Sequence, residues 1–357
     1  MHFCRKRENM AIEIIGTGRA VPSKRVSNDE LATQVDTTDE WIRSHTGIGN
    51  RHIADEETAS SDLAIEAAKN ALALASGYVG TDPAERDKIS SEAAKTIDII
   101  VLSTATADFY GCPSTACIVQ HKLGAAKAAA FDITVGCTGI VYGLEIAAGL
   151  LSMRAGRTRA LVIGSDILTK VTDWSDRATC VLFGDGAGAV VLEKTSAPSE
   201  GENRRGIVNS LLFADGSGSE SLVMRRGGTR YPYKKGEVID KPIHIEMNGQ
   251  EVYNFAVKAV TDTIDALMKA EGITVDDITM IIPHQANARI VQAARKRLRI
   301  PDEKIYLNID EYANTSAASI PIALDEINRN GQLKKGDIIL TIGFGGGLTY
   351  GGNVIIW

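Results

Sequence analysis

Apolar runs alternate with alanine-rich, helix-periodic stretches along most of the chain. Several runs are continuous rather than alternating, which is typical of strands buried on both faces. The predicted strands are Ala11–Gly16, Ile97–Ser103, Ala129–Val135, Ala160–Gly164, Gly188–Glu193, Ile207–Phe213, Ile278–Pro283, Ile305–Ile309, Asp337–Ile342 and Tyr350–Trp357. The predicted helices between them are Ser60–Ser76, Thr138–Met153, Gly249–Glu271, Arg289–Leu298 and Ile320–Asn330.

The order of these elements repeats. RALVIGSD and GDGAGAVVLEK in the first half parallel DIILTIGFGGG and TYGGNVIIW in the second, which indicates a duplicated α/β unit. The predicted organisation is a flexible tail (1–9), an N-terminal half with the nucleophile (10–194), a linker (195–205) and a C-terminal half (206–357). The polar stretch 224–241 is predicted to be a long surface loop.

Composition narrows the class of protein. The 357 residues are 44% hydrophobic, enough for a large core, and the net charge of -6 argues against a nucleic-acid-binding surface over the whole chain. The five cysteines have no regular spacing, which favours a reducing, cytoplasmic compartment over a disulfide framework. A membrane span needs about 20 predominantly apolar residues, and we identify no such stretch. We therefore expect a cytoplasmic protein that binds neither membranes nor nucleic acids.

Four chemically notable segments each follow a predicted strand: Cys137, His284, Asn314 and the glycines Gly345–Gly347. In open α/β sheets, ligand sites collect at the carboxyl ends of strands. This shared position predicts that the four segments form one site.

Cys137, in FDITVGCTGIVYGL, lies between a strand and a helix. The free N–H groups and the positive dipole end of that helix would stabilise a thiolate and lower the thiol pKa. The Cys137 N–H would also face an oxyanion. The alternative is a buried structural cysteine.

His284 follows a strand in MIIPHQANARI, and Asn314 precedes a helix in EYANTSAAS. A neutral imidazole accepts or donates a hydrogen bond near pH 7, and an amide donates without titrating. Taken singly, His284 is equally consistent with a structural histidine, and Asn314 with a helix cap.

The glycines of GFGGGLTYGG permit close backbone approach, which suits a second oxyanion donor as well as a tight turn. GDGAGA matches the loose dinucleotide-binding pattern, but VVLEK, a strand, follows it instead of a helix. We therefore reject a nicotinamide cofactor.

Together these segments resemble β-ketoacyl-ACP synthase III, the initiating condensing enzyme of bacterial fatty acid synthesis in the thiolase superfamily. The resemblance covers residues 10–357, and it is strongest in TTDEWIRSHTGI, PHQAN and NTSAASIPIALDE. It implies a five-layer αβαβα fold of two similar halves, a homodimer, and no metal or organic cofactor. It implies acyl-CoA and acyl carrier protein as partners.

The resemblance also implies roles for individual residues. Cys137, His284 and Asn314 would be catalytic, with Gly346 as oxyanion donor and Phe344 in the decarboxylation pocket. Contacts to coenzyme A or substrate are implied for Trp41, Arg177, Cys112 and Asn287. Contacts to the carrier protein are implied for Gln285, Arg289, Lys296 and Arg297.

Residues 289–299 carry five basic side chains on an otherwise acidic protein, with Ile290, Ala294 and Leu298 forming the buried stripe. Acyl carrier protein is acidic, so this face suits it. A nucleic-acid patch and a merely solvated helix face are the alternatives.

Three features depart from the family pattern, one of which is that Thr134-Val135-Gly136 replaces the alanine-rich segment common before the nucleophile. His45 stands where an arginine often contacts coenzyme A, and Cys112 stands where a phenylalanine often shapes the acyl pocket across the dimer. A smaller Cys112 side chain would admit longer or branched acyl groups.

The expected reaction joins the acyl group of a short acyl-CoA, such as acetyl-CoA, to malonyl-ACP with loss of carbon dioxide. Three other functions fit the same residues: a relative that primes polyketide synthesis, a cysteine hydrolase, and a catalytically silent subunit that binds carrier protein.

Overall fold

The computed structural model of the chain describes residues 10–196, 204–237 and 243–357. The strands are β1 (Met10–Ala20), β2 (Arg25–Ser27), β3 (Asn50–His52), β4 (Ile99–Ser103), β5 (Ala129–Ile133), β6 (Arg159–Ile167), β7 (Asp185–Ser196), β8 (Gly206–Ala214), β9 (Leu222–Met224), β10 (Ile245–Met247), β11 (Met280–Pro283), β12 (Ile338–Gly345) and β13 (Thr349–Ile356). The helices are α1 (Asn28–Leu31), α2 (Asp39–Thr46), α3 (Ser60–Ala75), α4 (Pro83–Ala94), α5 (Thr115–Leu123), α6 (Gly139–Met153), α7 (Arg177–Cys180), α8 (Gly249–Glu271), α9 (Ala288–Leu298), α10 (Ile309–Tyr312) and α11 (Ser319–Arg329).

The first large sheet has five strands in the order β1-β7-β6-β4-β5. β4 lies between β6 and β5 and is parallel to both, whereas β7 is antiparallel to its neighbours. Every residue of β4 is buried. This explains why the sequence of β4 is a continuous apolar run, because both of its faces pack against protein.

The second large sheet has the order β11-β12-β13-β8. β11 and β12 are parallel, and β13 is antiparallel to both of its neighbours. Strands β8, β13, β12 and β11 thus repeat the arrangement of β1, β7, β6 and β4. The prediction of two similar α/β halves is confirmed.

The predicted strand Ile305–Ile309 is wrong. Ile305 forms one isolated parallel bridge with Ile281, and α10 begins at Ile309. The N–H of Asn308 donates to the Gln285 side chain at 3.2 Å rather than to a neighbouring strand. The segment occupies the place that β5 has in the first half, so the fifth strand of the second half is reduced to a single bridge.

The sheets and helices form five layers. α6 and α11 share one apolar cluster with residues of both large sheets and lie between them. α3 and α5 cover the other face of the first sheet, and α8 and α9 cover that of the second. The predicted αβαβα fold is therefore present, with the two central helices following the turns that hold the site.

Among the described residues, one stretch has the length and apolar character of a membrane span. It is Gly136–Met153, with 18 residues, a mean hydropathy of 1.4 and 44% of its residues buried. It contains α6, the central helix of the first half. A helix packed between two sheets is apolar on most of its circumference, which gives the same signal.

All five predicted helices form. Their predicted first and last residues lie within one residue of the observed ends of α3, α6, α8, α9 and α11. The longer helices α2, α4 and α5 and the four-residue helices α1, α7 and α10 were not predicted. In α4 the buried residues are small (Ser90, Ala93 and Ala94), so its sequence shows little of the apolar periodicity on which the prediction relied.

The connecting segments differ from the prediction at their ends. β7 continues to Ser196, beyond the predicted start of the linker, and 197–203 lie outside the described residues. The predicted surface loop starts in a strand, because Met224 of β9 pairs with Ile245 of β10. Residues 238–242 of that loop and the predicted tail, 1–9, lie outside the described part of the chain.

Candidate active site

Cys137 lies in a single turn of 3-10 helix, Gly136–Thr138, between β5 and α6. Gly136 has a φ of +53°, a left-handed conformation that glycine adopts without strain. A Cβ atom at this position would lie 3.1 Å from the Gly346 nitrogen. The turn therefore brings the candidate nucleophile and the glycine-rich segment into direct backbone proximity.

Two threonines join this turn to the glycine-rich turn of the second half. The hydroxyl groups of Thr138 and Thr349 are 2.7 Å apart, and the Thr349 hydroxyl donates to the Val135 carbonyl at 3.0 Å. These bonds fix the Cys137 N–H and the Gly346 N–H relative to each other, which is the requirement for a preformed oxyanion hole.

Gly345 is where this packing is tightest. A Cβ atom there would lie 2.8 Å from the Cys137 nitrogen and 2.9 Å from the Cys137 Cβ, whereas a Cβ on Gly346 would first meet the Leu222 carbonyl at 3.7 Å. We expect Gly345→Ala to displace the nucleophile turn and to lower the free energy of unfolding by about 1–3 kcal/mol.

Gly346→Ala is the matched control, since it adds the same methyl group one residue away, at ordinary van der Waals distance from Leu222. Thermal and denaturant unfolding of the two variants check the prediction. Equal destabilisation by both substitutions would show that the turn does not depend on the close approach at Gly345.

Burial dominates the electrostatics of the Cys137 thiol. Part of the residue faces a cavity, but surrounding protein atoms raise the pKa of the thiol to about 12. The negative charge of Asp166 adds to this rise, and a hydrogen bond from Ser316 opposes it. The predicted lowering of the thiol pKa is therefore wrong for this structure, because loss of water around the sulfur is the largest influence and raises the pKa.

His284 follows β11 and is 1% exposed. Its Nδ1 lies 2.7 Å from the Ser319 hydroxyl, and its ring packs edge-on against Phe344, with 5.1 Å between centroids. Burial lowers the pKa of His284 to about 3, so the imidazole is neutral at pH 7. The Ser319 oxygen also accepts from the Gln285 N–H at 3.3 Å.

Asn314 is fixed by its own backbone and side chain. Its N–H donates to the Leu182 carbonyl at 3.0 Å, and its carbonyl accepts from Gly184 at 3.1 Å. Its side-chain oxygen accepts from the Ser316 N–H at 2.9 Å. With the oxygen engaged, the side-chain NH₂ group is the part of the amide that remains to donate.

A single cavity of about 540 Å³ brings these groups together. Cys137, His284 and Asn314 all line it, although they are far apart in the chain. Predicted site residues that also line it are Trp41, Asn287, Arg289, Phe344 and Gly346. Its apolar wall includes Leu168, Phe183, Leu222, Met224, Ile245 and Met247.

Trp41 and Arg177 contact each other. The Arg177 guanidinium carbon lies 4.3 Å from the centroid of the Trp41 ring, and the His45 ring stacks on Trp41 at 4.4 Å. An aromatic ring held between Trp41 and Arg177 needs two van der Waals separations of about 3.5 Å each. An adenine sandwich at this place therefore requires Arg177 to move outward.

Gln285 does not fit its predicted role in docking a carrier protein. It is 2% exposed, and its side chain donates to the Pro283 carbonyl at 2.8 Å and to the Tyr306 carbonyl at 3.1 Å. It braces the loop beneath His284. Arg289, Lys296 and Arg297, by contrast, are exposed, and the Asn287 side chain donates to the His45 carbonyl at 3.0 Å.

Cys112 lies in the connection between β4 and α5 and is exposed. In the described part of this chain it is not among the residues that line the cavity. Cys117, which we expected to be a packing residue, is also exposed, whereas Cys180 is buried as expected.

Three site residues were missed by the sequence analysis: Asp166, Ser316 and Ser319. Ser319 orients His284, and Ser316 contacts Cys137. Asp166 is fully buried close to the nucleophile. Its signal in the sequence is a lone acidic residue near the end of an apolar strand, at the sheet edge where Cys137 lies.

A duplicated five-layer α/β fold in which cysteine, histidine and asparagine meet in one cavity defines a thiolase-fold condensing enzyme. The profile of 3-oxoacyl-[acyl-carrier-protein (ACP)] synthase III matches residues 131–216, and the profile of its C-terminal region matches residues 268–357. The β-ketoacyl-[acyl-carrier-protein] synthase III of Caldanaerobacter subterraneus is 48% identical over 98% of this chain and 99% of that protein. The corresponding synthase of Syntrophomonas wolfei is 45% identical over 98% of each chain.

Solved structures agree. The 3-oxoacyl-[acyl-carrier-protein] synthase III of Aquifex aeolicus has a TM-score of 0.82 and 39% identity, covering 97% of this chain and 100% of that one. The priming β-ketosynthase of the R1128 polyketide pathway has a TM-score of 0.83 and 32% identity, covering 97% and 96%. This chain belongs to the β-ketoacyl-ACP synthase III family. The predictions of a condensing acyltransferase and of the initiating condensation of fatty acid synthesis are confirmed.

Proposed function

We propose that Cys137 carries the acyl group between two half-reactions. In the first, the Cys137 thiolate attacks the carbonyl carbon of an acyl-CoA thioester, and the N–H groups of Cys137 and Gly346 hold the oxyanion. Coenzyme A leaves as a thiolate. The support for this assignment is the backbone contact between the two turns, which brings the Gly346 nitrogen close to the turn that carries Cys137.

In the second half-reaction, malonyl-ACP loses carbon dioxide, and His284 and Asn314 stabilise the enolate. His284 Nδ1 lies 2.7 Å from the Ser319 hydroxyl. In this proposal that hydroxyl donates to Nδ1, and the imidazole proton is on Nε2, where it can donate to the enolate. The Asn314 oxygen is engaged by Ser316, so its NH₂ group donates. The carbanion then attacks the acyl-cysteine and gives a 3-ketoacyl-ACP.

One observation carries this proposal: Cys137 and two neutral donors, His284 and Asn314, line one cavity, and no Asp or Glu is among the described residues that line it. Hydrolysis of the acyl-cysteine needs a base that activates water, but burial lowers the pKa of His284 to about 3, which makes its neutral form a weak base. Neutral donors suit an enolate, whose negative charge they stabilise. The geometry thus favours condensation over the cysteine hydrolase.

The cavity mouth suits the coenzyme. Trp41, Asn287 and Arg289 line it, and Arg177 stacks on Trp41. We infer that Arg177 opens to admit the adenine ring and that Arg289 faces the phosphates. The imidazole of His45 lies where the family often has a permanently charged arginine. The electrostatic attraction of the coenzyme A phosphates is therefore weaker at this position.

The acidic carrier protein docks on α9. Arg289, Lys296 and Arg297 are exposed, whereas Arg295 is held internally by Asp302 at 2.8 Å. Arg289 also lines the cavity, and Lys296 and Arg297 follow it along the same helix. A carrier protein bound here would present its thioester to the cavity.

Charge reversal tests this surface. We expect the double variant Lys296→Glu/Arg297→Glu to raise the KM for malonyl-ACP by at least about tenfold at low salt, since rim charges mainly steer association. Acylation of Cys137 by acyl-CoA should stay unchanged. The steady-state KM for malonyl-ACP and the rate of acylation are measured separately.

Lys335→Glu is the matched control, because Lys335 precedes β12 at the end of the sheet opposite Gly345. A KM for malonyl-ACP that stays at the wild-type value in the double variant would place carrier docking elsewhere.

The acyl donor is an acyl-CoA that fits a largely apolar cavity, a short primer such as acetyl-CoA. The similarity to a polyketide-priming synthase keeps a second donor class as the alternative. The test is a donor profile: acetyl-, branched- and longer acyl-CoA are each supplied with malonyl-ACP, and the product is identified by mass. A 3-ketoacyl-ACP is expected, whereas free acid without condensation would exclude the proposal.

The enzyme acts as a cytoplasmic homodimer in this proposal, without metal or organic cofactor. Among the described residues, no group of three or more His, Cys, Asp or Glu side chains is placed to hold a metal ion. The connection from β4 to α5 exposes Phe109 (54%) and Tyr110 (75%) beside Cys112. Aromatic residues of this size suit a subunit interface.

A further inference from the structure

Asp166 is a buried carboxyl group without a basic partner in the described structure. It lies near the end of β6 and is fully buried. One oxygen accepts from the Ala105 N–H at 2.7 Å, and the other accepts from the Ala317 N–H at 3.2 Å. The hydroxyl groups of Thr104 and Thr106, each at 3.1 Å, also face it. A carboxylate held by neutral donors alone is costly to bury, so its presence beside the nucleophile needs a reason.

Ser316 connects Asp166 to Cys137. Ser316 lines the cavity together with Cys137, and the N–H of the next residue, Ala317, binds Asp166. The Ser316 side chain interacts with both groups and lowers the pKa of the Cys137 thiol and that of the Asp166 carboxyl group, against the rise that burial causes in each. Ser316 is 3% exposed and has a φ of +50°, a strained conformation for a residue other than glycine. A Cβ atom on Gly164 of β6 would lie 2.2 Å from the Ala317 carbonyl, so the Ser316 turn rests directly on the strand that carries Asp166.

We propose that Ser316 and Asp166 take up the proton of the Cys137 thiol when the enzyme is acylated. The S–H bond of Cys137 breaks as an O–H bond forms on Ser316, and the original Ser316 proton moves to an Asp166 oxygen. The products are a thiolate and a neutral carboxylic acid. Ser316 touches the reacting sulfur, and Asp166 acts through it as a positioning residue. The inference rests on the proposed role of Cys137 as nucleophile.

Charge accounts for the direction of this transfer. If Asp166 stayed ionised, the thiolate would place two negative charges in one buried site, and this repulsion is part of what keeps the thiol protonated. The transfer instead moves one negative charge from Asp166 to Cys137 without creating another. When the carbanion later displaces the Cys137 thiolate, the stored proton returns along the same path.

The other titratable groups near Ser316 and Asp166 do not take up the proton of the Cys137 thiol in their place. His284 faces Cys137 from the end of β11, but its Nδ1 is engaged by Ser319, and its Nε2 must keep a proton for the enolate. Asp185 of β7 faces Asp166 and is itself fully buried. Its carboxylate accepts from the Ala54 N–H at 2.7 Å and from the Thr169 hydroxyl at 2.6 Å. Asp185 is therefore a matched buried carboxyl group.

The test is the rate of Cys137 acylation by acetyl-CoA against pH, measured by quenched-flow and intact mass, in wild type, Asp166→Asn, Ser316→Ala and Asp185→Asn. We expect Asp166→Asn and Ser316→Ala to slow acylation at pH 7 by about 10²-fold. The deficit should shrink as rising pH lets hydroxide remove the proton. Asp185→Asn, the same chemical change at equal burial, should stay within a few-fold of wild type.

The opposite outcomes are distinct. If Asp166 acted only through repulsion, Asp166→Asn would acylate as fast as wild type or faster, and that result overturns the proposal. A folded Ser316→Ala variant at wild-type rate overturns it as well, and so does an equal loss in Asp185→Asn. Absence of an acyl adduct on the wild type would instead refute the proposed role of Cys137.

Discussion

Replacing Cys137 by alanine is expected to abolish the acyl adduct and to reduce condensation by about 10⁴-fold or more, because it removes the thiol that carries the acyl group. The fold should persist, since the side chain loses a single sulfur atom beside a cavity. Intact mass after incubation with acyl-CoA, together with the rate of 3-ketoacyl-ACP formation, measures both effects.

Cys117→Ala is the matched control. Cys117 is exposed, so chance thioester exchange from acyl-CoA would modify it at least as readily as the enclosed Cys137. We expect full activity and a full adduct in Cys117→Ala. An adduct that persists in Cys137→Ala and disappears in Cys117→Ala would show that Cys117, and not Cys137, carries the acyl group.

The second large effect is expected at Asn314. Asn314→Ala removes one of the two enolate donors, and condensation should fall by about 10²–10³-fold. Cys137 acylation should change little, because the first half-reaction uses backbone donors. Carbon dioxide release from malonyl-ACP and adduct formation, measured separately, reveal this division.

Asn314→Asp gives the sharper comparison, because it keeps the size and shape of the side chain. The Ser316 N–H would still bind one oxygen, which turns the other oxygen toward the cavity. An anion in place of the NH₂ group repels the enolate, so Asn314→Asp should lose at least as much activity as Asn314→Ala. Substantial condensation by Asn314→Asp would mean that Asn314 supports the loop rather than the reaction.

The position of the site was predictable from the sequence for a physical reason. Cys137 and His284 each follow a strand, β5 and β11, and the carboxyl ends of strands in open α/β sheets meet at one edge. Asn314 lines the same cavity, but it follows the helix α10 and forms an isolated bridge with Phe183, so the strand predicted before it does not form. The repeat of VIGSD–GDGAGA in TIGFGGG–TYGG likewise corresponds to the shared order of the two sheets. Local pattern and global topology agree at these positions.

Other features were not predictable because they depend on contacts distant in the chain. The Cys137 thiol is enclosed by residues from both halves, so its raised pKa appears only after folding. Ile305 has a strand-like sequence, but neighbouring side chains, rather than a strand, satisfy the backbone near Asn308. Gln285 belongs to a motif typical of carrier-protein docking, yet its side-chain amide is buried and donates to the Pro283 and Tyr306 carbonyl groups.

A single-turnover chase tests the central claim that one cavity performs both half-reactions through Cys137. The enzyme is acylated with isotopically labelled acyl-CoA, freed of excess donor, and mixed with malonyl-ACP. We expect the label to leave Cys137 and appear in 3-ketoacyl-ACP at one rate, with one carbon dioxide released per acyl group transferred. Label released as free acid, or carbon dioxide formed while the label stays on Cys137, would contradict this account.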